Sequence, residues 1–150
     1  MSKNPAAIKP TASFADAASL EPTLDTAVGQ FKMKLSAAGV QLGWLGQNGS
    51  GWAILVTSVK EALSLEEYPY NGKLYFRIKG SNKYLSVGTT PANEGYVGFY
   101  AWLSATSFTR RGSNFVSDLN SQALSLYSKD NAYLYAWDAY TILDVDFQAV

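Results

Sequence analysis

An aromatic residue followed nine positions later by an aliphatic one, and two positions after that by another, occurs three times in this chain: Phe31, Val40, Leu42; Phe76, Leu85, Val87; and Phe115, Leu124, Leu126. Each copy continues with an apolar, aromatic run at residues 51–56, 95–102 and 132–137, and the tripeptide Tyr-Ala-Trp stands at both 100–102 and 135–137. A short closing segment follows each run, at 62–65, 105–108 and 140–143. A fixed period of this length is the mark of a repeat architecture. The expected organisation is therefore twelve short strands in three units, at about 29–70, 73–112 and 113–150.

Local patterning agrees. Phe31, Met33 and Leu35 alternate with Lys32, Lys34 and Ser36, the period of a half-buried strand. A second strand is expected over 40–44 and a returning one over 52–57, joined at Asn48-Gly49, a dipeptide suited to a tight hairpin turn. Residues 60–67 have a helical composition, but Leu63 and Leu65 alternate, and their place in the repeat favours a strand. Phe31, Phe76, Phe115 and the paired aliphatics are core by spacing. Residues 1–28, rich in Ala, Ser, Thr and Pro without alternation, read as a flexible N-terminal tail.

The segment 76–79, Phe-Arg-Ile-Lys, followed by Lys83-Tyr84-Leu85-Ser86-Val87, resembles the opening strands of the ricin-B-like and fascin-like branches of the β-trefoil superfamily. The resemblance spans residues 29–150 at the level of pattern, and it implies an all-β, pseudo-threefold fold. The alternatives are another closed β-barrel or a β-sandwich. Trefoils of this kind most often bind carbohydrate, but the ricin-type galactose site needs an Asp in the second strand, where Gln41, Ser86 and Ser125 stand here. There is no closing Gln-x-Trp either, so only an aromatic, Trp102 or Trp137, carries over from that site.

Composition narrows the function classes. The chain has no Cys and no His, which removes disulfides, thiolate metal sites and the usual general base. Basic and acidic residues balance at 12 each, so no charge footprint points to nucleic acid or an anionic membrane. No apolar run is long enough to span a bilayer, and no secretory signal is evident, so a cytoplasmic origin is the default, with release by a non-classical route left open. No cofactor or metal is called for. The expected activity is that of a non-enzymatic, lectin-like module acting on glycans or glycoproteins. The rivals are a protein-binding trefoil (a protease inhibitor or cytoskeleton-binding module), an accessory domain of a toxin or effector and, last, an enzyme.

The candidate ligand-binding residues are aromatics for stacking and polar turn residues for sugar hydroxyls: Trp44, Asn48, Asn93, Tyr96, Trp102, Asp118, Asn131, Tyr133 and Trp137. Trp102 and Trp137, filling equivalent positions identically, read first as sharing a packing role.

Overall fold

A computed structural model describes residues 29–128 and 131–149; the expected tail and Val150 lie outside them. Among the described residues the protein is all-β, with strands making up 59% of them and no α-helix. Thirteen strands are described: β1 (Gln30–Ala37), β2 (Val40–Gln47), β3 (Ala53–Val56), β4 (Leu65–Tyr70), β5 (Lys73–Ile78), β6 (Tyr84–Val87), β7 (Val97–Tyr100), β8 (Phe108–Arg111), β9 (Asn114–Ser117), β10 (Leu124–Ser128), β11 (Asn131–Ala136), β12 (Thr141–Ile142) and β13 (Asp144–Ala149). Twelve were expected. The extra one arises because Leu143 turns its side chain into the core and its N–H to the Leu124 carbonyl, which divides the last segment in two.

The ladders run β12-β10-β11-β3-β2-β1-β4-β5-β6-β7, with β13 added alongside β1; β8 and β9 pair separately, and these sheets do not close into a barrel. Three hairpins, β2–β3, β6–β7 and β10–β11, touch one another in turn: Trp52 bridges to Gly98, Tyr96 to Tyr135, and Tyr133 to Ile54. Phe147 on β13 lies opposite Met33 on β1, so the last described strand closes against the first.

The core forms where the alternation places it. Phe76 is in edge contact with Phe31 at 6.0 Å and with Phe115 at 5.1 Å, and Phe147 stacks on Phe31 at 4.1 Å. The three opening phenylalanines of the repeat thus meet in one cluster. One expected core position fails. Val40 is 59% exposed, and Leu45 takes the buried place instead. The backbone shows why: the Leu45 carbonyl accepts from Leu63 N–H, as Leu85 accepts from Thr106 and Leu124 from Leu143. The first unit carries a longer β1–β2 hairpin, with a bulge between Leu35 and Ser36 and a tip at Ala38-Gly39, both at positive φ, so its aliphatic register shifts along the strand.

Two further expectations are refined. The Asn48-Gly49 hairpin is present, but Asn48 acts as a side-chain cap, its Oδ1 accepting from Ser50 N and Trp52 N, while the positive φ falls on Gly51. In the 60–67 window a 3₁₀ turn, Val59–Glu61, comes first, and the strand begins only at Leu65.

Strand β5 buries both faces. Phe76 enters the main core, while Tyr75 enters a second cluster with Tyr68, Tyr84, Trp102 and Ala105. Trp102, 1% exposed, sits 4.6 Å from Tyr75 and 5.2 Å from both Tyr70 and Tyr84. Trp137, its counterpart in the repeated tripeptide, is 40% exposed. The difference lies in the cradle. Tyr75 precedes Phe76 and Tyr84 precedes Leu85, but the matching positions before Phe115 and Leu124 are Asn114 and Ala123, so the third unit has no aromatic nest to receive its tryptophan. The shared packing role expected of the two residues is therefore not what the fold builds.

Candidate ligand-binding site

Around Trp137 the surface folds inwards into an open cleft of about 330 Å³, lined by Pro91, Glu94, Gly95, Tyr96, Tyr135, Trp137 and Tyr140. Two pieces of chain build it. One is the loop from Gly88 to Tyr96 between β6 and β7; the other is the end of β11 with the turn that follows.

The first wall is rigid. Asn93 Oδ1 accepts from both the backbone N–H and the hydroxyl of Thr90, and Asn93 N–H returns to the Thr90 carbonyl. The loop is closed at its base by Gly88 N–H to Tyr96 O at 2.8 Å, and the Gly95 carbonyl is joined to Ala136 N–H at 2.8 Å. Gly88 is required by space rather than by dihedral: a Cβ there would lie 2.1 Å from the Asn93 carbonyl oxygen. Gly88→Ala is expected to lower stability by about 1–3 kcal/mol, since backbone must shift to admit the methyl group. Urea denaturation checks this; a change under about 0.5 kcal/mol would show the loop to be more pliant than its bonds imply.

The second wall is held just as firmly. Trp137 N–H donates to the Ala123 carbonyl, Asp138 Oδ1 accepts from Ala123 N–H at 2.7 Å, and Asp138 N–H donates to Gln122 Oε1 at 2.8 Å. The aromatic rings are linked in series: Trp52 to Tyr96 at 5.6 Å, Tyr96 to Tyr135 at 4.6 Å, Tyr135 to Tyr140 at 5.0 Å, and Tyr140 to Tyr127 at 5.0 Å. The result is a mostly polar cleft whose phenol groups and ring faces are set in place before any ligand arrives.

Burial, reinforced by hydrogen bonding with Tyr96 and opposed by Asn131, pushes the Tyr135 hydroxyl from about 10 up to about 12. Burial likewise raises Tyr100 and Tyr75. The sign follows from which state ionises first. Unfolded tyrosines release protons from about pH 10 while the folded ones still hold theirs, so this contribution to stability is intact below pH 10 and is lost between 10 and about 12. A thermal denaturation series into alkali should show a falling midpoint over that window, with some phenolate absorbance appearing only on unfolding. A midpoint constant through it would contradict the assignment.

Of the residues singled out from sequence, Tyr96 and Trp137 line this cleft, and Tyr133 stands 5.9 Å from Tyr96, half exposed. Asn131 lies behind them, its Nδ2 donating to the Tyr135 hydroxyl and its Oδ1 accepting from Tyr133 N–H. Asn93 faces a second cleft, of about 380 Å³, on the other side of the same loop, with Thr89, Thr90, Tyr100, Ser104 and Thr106. The remainder lie elsewhere. Trp44 is half-buried on β2, paired across to Val56, and Asn48 caps its turn; neither lines either of these two clefts. Asp118 accepts from the hydroxyls of Ser107 and Thr109, tying β8 to the end of β9. Trp102 has its faces covered by tyrosines.

Tyr135, Glu94 and Tyr140 complete the cleft. Tyr135 lies in the aromatic run 132–137 and Tyr140 opens the closing segment 140–143, but neither they nor Glu94 carried a signal that set them apart from packing or turn residues. Two of the arginines are engaged within the fold: Arg77 pairs with Glu66 at 2.9 Å, and Arg110 lies over the Phe147 ring at 4.5 Å. Among the described residues no helix is long and apolar enough to cross a membrane.

No protein-family model matches the chain, and no curated protein matches it in sequence.

Proposed function

We propose that the protein is a non-enzymatic carbohydrate-binding module built on a β-trefoil, and that it takes its ligand in the cleft beside Trp137. The observation that carries this reading is an exposed tryptophan in a rigid cleft that also presents Tyr96, Tyr135, Tyr140 and the Glu94 carboxylate. The C–H face of a sugar ring stacks on such aromatic faces, while phenol and carboxylate oxygens meet its hydroxyls. Three features support the trefoil: the recurring bond from the closing segment to Leu45, Leu85 and Leu124; the three mutually touching hairpins; and the β4–β5, β8–β9 and β13–β1 pairs between successive units. The complete absence of His and Cys supports a binding role over a catalytic one.

Screening the labelled protein against an immobilised glycan array tests the reading. Saturable binding to a related set of glycans is the expected result. A blank array from demonstrably folded, ligand-free protein would shift the assignment to a protein partner, for which the braced loop 88–96 is the natural contact.

A further inference from the structure

We infer that the cleft beside Trp137 selects sugars bearing a protonated amine over neutral and acidic ones, an inference that rests on the carbohydrate reading. Its charge is one-sided. Glu94 is the ionisable acid in the lining, Asp138 sits in the turn between Trp137 and Tyr140, and no Lys or Arg lines the cleft among the described residues. Aromatic faces carry the negative part of the ring quadrupole, so Tyr96, Tyr135, Trp137 and Tyr140 favour a cation as well as a C–H face. The two effects add at one place. A sugar ammonium group over these rings gains from both, a neutral sugar keeps only the stacking, and a uronic or sialic acid meets a carboxylate with no cation to balance it.

Geometry makes this more than a stray surface acid. Glu94 is flanked by Asn93, whose N–H is bonded to the Thr90 carbonyl, and by Gly95, whose carbonyl is bonded to Ala136 on the opposite wall. The backbone that carries the carboxylate is therefore fixed relative to the aromatic rings. A unit charge pair near a protein surface then gives a preference of roughly fivefold or more at low salt, shrinking as the ionic strength rises.

The test compares three probes by calorimetric titration of the full chain: a β-linked glucosamine oligomer with free amines, its fully N-acetylated counterpart, and an oligogalacturonate. The expected order is free amine tightest and galacturonate weakest, with the ratio of free-amine to acetylated affinity at roughly fivefold and falling clearly, to what the ring faces alone supply, in Glu94→Gln, and shrinking at about 1 M salt. Equal or tighter binding of the acetylated or acidic oligomer, or a preference that Glu94→Gln leaves undiminished, would overturn the selectivity while leaving carbohydrate binding in place. Trp137→Ala separates the two levels. If neither these probes nor any array glycan binds in a way that this substitution weakens, the carbohydrate reading falls and the selectivity with it.

Discussion

Replacing Phe76 by Ala will lower stability by about 3–5 kcal/mol, a large part of what a domain of this size possesses. Phe76 is fully buried, and its ring meets one phenylalanine from each of the other units, Phe31 and Phe115, as well as Phe147 near the C-terminus. Truncation removes the transfer free energy of the ring and leaves a cavity bounded by residues from four strands, β1, β5, β9 and β13. Those strands are pinned by their ladders, so the space cannot collapse fully. Urea denaturation of the variant against the parent measures the loss. A cost below about 1 kcal/mol would mean that the phenylalanine cluster does not organise the core.

Replacing Trp137 by Ala should do the reverse, leaving the fold standing and removing the binding. At 40% exposure, and without the aromatic nest that encloses Trp102, its side chain contributes little to the core, so a stability change within about 1 kcal/mol is expected. It is the most exposed aromatic in the cleft lining, and residues of this kind dominate recognition energetics. Loss of about 2 kcal/mol of affinity, roughly thirtyfold in Kd, is the expected effect on any glycan that binds. The paired variant Trp102→Ala should show the opposite profile, a damaged fold, because the same residue in the same tripeptide has been put to structural use. If both variants unfold, or both bind normally, the division of labour between the two units is wrong.

How much of this was legible in the sequence depended on whether the signal was local. Period-2 alternation placed Phe31, Met33 and Leu35 in the core because a strand with one buried face must alternate. The fixed spacing carried this to Phe76 and Phe115. It failed at Val40, since a bulge and a longer β1–β2 hairpin shift the register without changing the residue types that mark a strand. It also could not separate Trp102 from Trp137. That distinction depends on Tyr75 and Tyr84, which come next to Trp102 only through tertiary pairing and are replaced in the third unit by Asn114 and Ala123. The binding cleft was half visible for the same reason. Tyr96 and Trp137 stood out as aromatics beside turns, whereas Tyr140 gains its place from the turn that Asp138 and Gln122 brace, and Asp118 and Asn48 proved to be engaged in holding loops.

The most direct test of the binding account is a nuclear magnetic resonance titration of the four tryptophan indole N–H signals with a glycan taken from the array. The account predicts that the Trp137 signal moves saturably, that Trp52, in series behind Tyr96, shifts less, and that Trp44 and Trp102 stay in place. Movement centred on Trp44, or saturable binding that leaves the Trp137 signal unmoved, would contradict it.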